Sequence, residues 1–217
     1  MVKKQFAVFG LGKFGKSVAE SLADAGYEVI AVDMDEEKVQ DISDKVTYAA
    51  RADVTEPGVM ESLGVKNVDA AVVAISTNME ASIMATILAK EAGVPYVMNK
   101  ATSQMHAKVL KKIGSDEVIF PEKAMGNRVA KKLMTGNFLD LFELSESFSM
   151  VEAIAPKEWV GKNLKELNVR TRHGVNIIGI KTGDKVDVKV NPDEPIQENS
   201  TLIMVGKNID LTKILEL

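Results

Sequence analysis

Along the first 120 residues, short unbroken apolar runs alternate with stretches in which apolar residues recur at every third or fourth position. The runs Gln5 to Phe9, Glu28 to Val32, Asp69 to Ile75, Val94 to Met98 and Glu117 to Phe120 are rich in Val, Ile, Ala and Phe and read as strands. The segments between them read as helices, and strict β–α alternation predicts a parallel sheet with helices on both faces. Ala70 to Ile75 shows no polar alternation at all, as expected of a central strand covered on both sides.

Helix entries are signalled locally. Thr77-Asn78-Met79-Glu80 has the form of a capping box ahead of a helix running to Lys90, which Gly93 ends. Thr55 before Glu56-Pro57 reads as another entry, since proline loses no hydrogen bond in a first turn. Beyond Phe120 the pattern changes. Ala124 to Thr135 is a helix by the spacing of Met125, Val129, Leu133 and Met134. Asn137 to Phe142 then crowds large apolar residues just past Gly136, as a core edge or, on the reading preferred here, a subunit contact. From about Phe148 a smaller mixed unit follows. Its expected strands are Met150 to Ile154, Val175 to Lys181, Lys185 to Val190 and Thr201 to Val205, and its expected helices Asn163 to Leu167 and Asn208 to Leu215. The expected division is 1–136 for a nucleotide-binding domain with its crossover helix, and 137–217 for a small α+β domain.

Composition narrows the function classes. With 217 residues and 46% apolar content the chain can bury one good core and a thinner second one. The net charge of −4 argues against nucleic acid as a partner, because a backbone binder needs a concentrated positive surface. The absence of cysteine removes disulfides, thiolate metal sites and thiol nucleophiles, and suits a reducing interior. No apolar run approaches the roughly 20 residues of a spanning helix, so action at a membrane is expected to proceed through docking on another polypeptide.

Gly10-Leu11-Gly12-Lys13-Phe14-Gly15 carries the sharpest chemistry. It follows a strand, opens a helix, and is succeeded about 20 residues on by Asp33 at the end of the next strand, which is the dinucleotide fingerprint in its proper context. Gly10 allows the tight turn, Gly12 the approach of a phosphate, and Gly15 the close packing of helix on strand. The helix that opens near Lys13 offers free amides and a positive dipole end. Asp33 can accept from ribose hydroxyls, and its charge, with no arginine in Val32 to Asp35, disfavours a phosphorylated ribose. Met34 adjoins it. Further lining candidates sit at the carboxyl ends of strands, namely Ala52, Asp53, Ser76, Thr77, Asn78, Asn99 and Lys100. Asn78 has an alternative role as a helix cap, and Asp53 as a loop carboxylate. ATP, ADP and NAD(H) all remain open as ligands.

A dehydrogenase needs a proton donor or acceptor beside the nicotinamide. The chain has two histidines, His106 within a helical pattern and His173 in the second domain, and neither is joined by a nucleophile motif, a metal-ligand spacing or a phosphate-loop lysine. Ligand binding without catalysis is therefore the expectation. The rivals are a small NAD-dependent oxidoreductase and a redox-sensing transcription regulator, the latter lacking a helix-turn-helix or a basic patch.

The glycine turn, Asp33, the Ala74-to-Asn78 strand end, the Asn99-Lys100-Ala101 turn and Lys112 to Glu122 together resemble the RCK (KTN) domain of regulatory subunits of bacterial Ktr and Trk potassium transporters. Trp159 to Leu164, Leu167 to Arg170 and Gly174 to Ile180 resemble the TrkA-C domain that accompanies it. The resemblance implies a cytoplasmic, peripheral subunit at the inner face of the cell membrane. It would pair through an exchanged crossover helix carrying Met125 to Leu133 and assemble into an octameric gating ring beneath a membrane potassium-translocating subunit. ATP and ADP, or NADH and NAD, would set the shape of the ring. Lys13 stands where arginine is common, keeping the charge and losing the planar two-pronged donor. Glu122 is implied as a ligand of a divalent cation, Mg or Ca, beside the phosphates, with an acidic first-turn role as its alternative. Cyclic di-AMP is implied for the second domain, with Leu164 and Val169 against the bases, Arg170 and Asn176 for phosphate and polar contacts, Pro192 closing the pocket and Ile177 a further residue of the site.

Overall fold

The computed structural model describes residues 3–134, 138–183 and 185–215, which fall into two compact units, Met1–Glu122 and Lys123–Leu217. In chain order the elements are β1 (Gln5–Phe9), α1 (Lys13–Asp24), β2 (Glu28–Asp33), α2 (Glu36–Ser43), β3 (Tyr48–Arg51), α3 (Val59–Ser62), β4 (Ala70–Val73), α4 (Met79–Glu91), β5 (Val97–Lys100), α5 (Gln104–Lys112), β6 (Glu117–Ile119) and α6 (Pro121–Met134). They continue with β7 (Phe138–Glu143), β8 (Phe148–Ile154), α7 (Leu164–Leu167), α8 (Val169–His173), β9 (Val175–Thr182), β10 (Lys185–Asp187), β11 (Thr201–Lys207) and α9 (Asn208–Leu215).

The first sheet is parallel throughout with strand order β3-β2-β1-β4-β5-β6, the doubly wound order whose direction of winding reverses between β1 and β4. Successive residues of the two central strands divide between two cores. Ala7, Phe9, Ala71 and Val73 join Ala85, Ala89 and Met60 on one face, while Val8 and Val72 join Ala19, Val39 and Ile42 on the other. That is why these strands carry no polar alternation. Burying each Val, Leu or Phe side chain contributes about 1.5–3 kcal/mol relative to exposure.

Several boundaries differ from the sequence expectation for identifiable reasons. The fourth expected strand, β5, begins at Val97 and not at Val94, because Val94 completes the end of α4: Gly93 takes φ +85° and the Val94 amide bonds back to Ala89 at 3.1 Å. The strand then runs on through Asn99 and Lys100, whose polarity concealed it. β3 has no counterpart in the pattern, since four residues containing two alanines at a sheet edge give almost no apolar signal. No capping box forms at Thr77. Asn78 is the N-cap of α4 and its side chain accepts from the Ala81 amide at 3.1 Å. Thr55 opens no helix either; it belongs to a turn held by Asp53, and α3 starts after Gly58.

The second unit holds an antiparallel sheet of order β10-β9-β11-β8-β7, one face of which is covered by α7, α8 and α9 around Trp159, Val175, Leu202, Met204, Leu211 and Ile214. α9 matches the expected Asn208 to Leu215, and α7 starts one residue after the expected Asn163, which caps it through a capping box with Glu166. The crowded apolar stretch forms β7, an edge strand paired with β8; Leu141 packs partly against this core while Phe142 stays exposed. Asn137, Thr135 and Gly136 lie outside the described residues.

Candidate functional site

A cleft of about 320 Å³ opens at the carboxyl ends of β1, β2 and β4, where the sheet changes winding direction. The structure brings to it Gly10, Gly12, Asp33, Met34, Ala52, Asp53, Ser76, Thr77 and Asn78 from the expected set, and adds Asp35, Lys38, Thr55 and Ala81.

The glycines serve different ends. Gly10 sits at φ +94°, and a Cβ on Gly15 would meet the Gly10 carbonyl oxygen at 1.9 Å, so the chain itself demands both. Gly12 is otherwise. Its φ of −63° suits any residue, and a Cβ there would meet nothing within 4 Å. What a side chain at Gly12 would obstruct is the cleft. Gly12 is also the N-cap of α1 and supplies no side-chain acceptor, whereas Asp35, Asn78 and Ser103 cap α2, α4 and α5 with theirs. The first turn of α1 therefore presents its amides and its positive dipole end without a local anion.

Asp33 closes the other side. Its Oδ2 accepts from the Leu11 amide at 2.6 Å and its Oδ1 from the Asp35 amide at 2.9 Å, which ties the glycine turn to the end of β2. Lys38, in the first turn of α2, places Nζ 3.6 Å from Asp33 and 3.3 Å from Asp35. Partial burial pulls the Lys38 ammonium down, but the two carboxylates outweigh it and raise its pKa overall. The same contact with Lys38 holds Asp35 below the usual carboxylate range. Asp53 accepts from the Thr55 hydroxyl at 2.6 Å and amide at 2.9 Å, and these bonds lower its pKa.

The other expected residues lie elsewhere. Leu11 and Gly15 are buried supports of the turn, Phe14 packs into the core beside α1, and Lys13 is exposed on the first turn of α1. Asn99 is fully buried, donating to Thr86 Oγ1 at 2.6 Å while its own Oδ1 has no partner. Lys100, nearly buried, pairs with Glu122 and sits 5.9 Å from the Phe14 ring centroid. That ion pair holds the Glu122 carboxyl below its ordinary value. Among the described residues no three His, Asp or Glu side chains cluster as a metal site would require. A single carboxylate already neutralised by a lysine does not fit a metal on its own.

In the second unit Val169 is buried in the core, with Leu164 and Ile177 packed partly against it; Arg170, Asn176 and Pro192 are exposed. The Pro192 carbonyl accepts from the Lys165 amide at 3.2 Å, which holds its loop on α7. Lys38 escaped the sequence reading because α2 did; once Asp35 is recognised as a cap, Lys38 falls one turn on, beside it.

A glycine turn with no side-chain cap, a strand-end aspartate and a switch-point cleft define a Rossmann-type protein, here joined in the chain to a small α+β unit. The chain belongs to the Ktr/Trk potassium uptake family: the TrkA-N domain model matches residues 6–121 and the TrkA-C domain model residues 149–217. It is 40% identical to the Ktr system potassium uptake protein C of Bacillus subtilis over 98% of this chain and 96% of that one. Ktr system potassium uptake protein A of Vibrio alginolyticus is 36% identical over 94% of this chain and 92% of its own. Among solved structures, the GsuK RCK domain superposes with a TM-score of 0.53 at 19% identity, over 98% of this chain and 46% of that chain. The GsuK channel bound to NAD gives 0.55 at 17% identity, over 99% of this chain and 38% of that one, and both show the shared fold. Among the described residues no helix is long and apolar enough to cross a membrane.

Proposed function

We propose that this chain is a regulatory subunit of a Ktr-type potassium uptake system that binds an adenine nucleotide, ATP, ADP or NAD(H), in the cleft between Gly12 and Asp33. The observation that carries this is Gly12, a glycine that the backbone does not require and that borders the uncapped start of α1. Asp33 meets the ribose hydroxyls, and the α1 amides meet the phosphates.

The reading is one of binding without chemistry. The ionisable side chains lining the cleft are Asp33, Asp35, Lys38 and Asp53, each tied to a neighbour, while His106 is fully buried on α5 with Nδ1 against Thr102. Occupancy acts by favouring one arrangement of an assembly of copies, and it does so only to the extent that the ligand binds that arrangement better. The assembly is a ring of eight, built from pairs that exchange α6, whose Met125, Val129 and Leu133 form an exposed apolar stripe. It docks beneath a membrane potassium-translocating subunit at the inner face of the membrane. The functional division falls at 136, and the exposed Arg170 and Asn176 of the second unit serve cyclic di-AMP. Glu122 turns to a divalent cation only when a second copy adds donors.

Calorimetry with ATP, ADP and NADH on the full chain, with Asp33→Ala as its partner, tests the central claim. Binding by the natural chain and a loss of at least roughly tenfold in the variant are expected, one charged hydrogen bond being worth about that much. The absence of heat with all three nucleotides would sink it.

A further inference from the structure

We propose that the second unit carries a binding site of its own for a small zwitterion of the α-amino-acid class, in a cleft of about 340 Å³ between the β9–β10 hairpin and the chain at 190–200. Strand register builds one wall. Lys185 stands opposite Thr182 and Asp187 opposite Ile180, so these four residues share one face of the hairpin, and all four line the cleft. The other wall is fixed by main-chain bonds. The Ile196 amide donates to the Lys162 carbonyl at 2.9 Å, the Gly161 amide donates to the Ile196 carbonyl at 2.8 Å, and Pro195 bridges to Asn163. Both walls are thus set by backbone pairing, so little ordering is left for a ligand to impose. None of the residues named above for cyclic di-AMP lines this cleft.

The lining carries both signs of charge, and they do not neutralise each other. Lys185, Asp187 and Glu194 all border the cleft, yet among the described residues Lys185 joins no ion pair. Asp187 accepts from the Lys189 amide at 2.8 Å and Glu194 from the Asn191 side-chain amide at 3.1 Å, each through one oxygen, and the other oxygen lies outside these bonds. Ser200 adds a buried donor. It borders the cleft at 1% exposure, its amide and carbonyl are bonded to Gln197 and Ala155, and its Oγ has no partner among the described residues. Buried hydroxyls are normally satisfied, so this one calls for an acceptor from outside the chain. A molecule with both charges on neighbouring atoms meets all these groups at once. Its carboxylate takes Lys185 and Ser200, its ammonium takes Asp187 and Glu194, and a short side chain rests on Ile180 and Val190. A simple anion would meet two carboxylates and one ammonium. A metal ion fits no better, because among the described residues no three acidic or histidine side chains gather.

The test is calorimetry and saturation-transfer NMR on the full chain with L-valine, L-valinamide and 3-methylbutanoate, the second probe lacking the carboxylate and the third the ammonium. Valine should bind saturably, and each truncated probe should be weaker by at least roughly tenfold, the scale of one charge-assisted hydrogen bond. Lys185→Met should weaken valine by a similar factor and leave valinamide unchanged. Asp187→Asn combined with Glu194→Gln should weaken valine and leave 3-methylbutanoate no weaker. Ser200→Ala removes a hydroxyl that has no partner, so valine should weaken several-fold while Tm does not fall. A merely structural role for these side chains would not sort the probes by charge. The inference is overturned by a flat response to valine, by valinamide or 3-methylbutanoate binding as tightly as valine, or by variants that keep the natural affinity for valine.

Discussion

Replacing Gly12 and Gly15 separately with alanine should divide binding from stability. At Gly15 the new methyl would lie 1.9 Å from the Gly10 carbonyl oxygen and 3.0 Å from Ala74 Cβ, backbone and core that cannot yield cheaply. Overpacking of that kind costs about 3 kcal/mol or more, which in a chain of this size lowers Tm by roughly 6–12 °C. At Gly12 the methyl meets nothing within 4 Å and φ is −63°, so the entropic gain of alanine in the unfolded chain and the small loss of a glycine cap nearly cancel. Tm should stay within about 2 °C. The methyl does, however, stand where a phosphate must approach. Losing one charge-assisted amide bond there costs about 1.5–3 kcal/mol, or roughly 10- to 100-fold in Kd. Scanning fluorimetry and nucleotide calorimetry on both variants check this. A Gly12→Ala protein with the natural Kd would refute the assignment of the phosphate end, and a Gly15→Ala protein of natural Tm would refute the packing argument.

Three further outcomes are expected. Thr86→Val removes the acceptor of the buried Asn99 amide, whose Oδ1 is already unpartnered, and should cost about 1–3 kcal/mol by urea unfolding. Burial lowers the pKa of His106, so protonation favours the unfolded chain: its contribution is complete above about 6.5 and is lost as the pH falls below that, and the decline in Tm between pH 7 and 5 should flatten in His106→Leu. Asp116 is held below its ordinary value first by the Val97 amide at 2.7 Å and then by Lys90; its contribution is present above about pH 3.9 and lost below it. Asp116→Asn should therefore lower Tm at pH 7, and the gap to the natural chain should close toward pH 2–3 in parallel thermal melts.

The central strands were legible because burial on both faces left them no polar residues, and β1 matches its expected limits residue for residue. Legibility failed where a tertiary partner replaces the apolar signal. Asn99 sits in β5 with its amide nitrogen donating to Thr86 on α4, a contact 13 residues away that no local pattern announces. The glycine turn and Asp33 could be found from spacing alone, since turn, phosphate approach and ribose contact each call for one residue type. Lys38 and Arg51 could not, because Lys38 reaches Asp33 from an unrecognised helix and Arg51 meets the Met34 carbonyl from an unrecognised edge strand.

That both oxygens of Asp33 are already engaged by Leu11 and Asp35 has a consequence for sensing. A carboxylate locked in this way greets every adenosine alike and gains little extra order from any of them. Discrimination among a triphosphate, a diphosphate and a dinucleotide would then have to arise at the far end, where the length and charge of the phosphate chain meet the opening turn of α1.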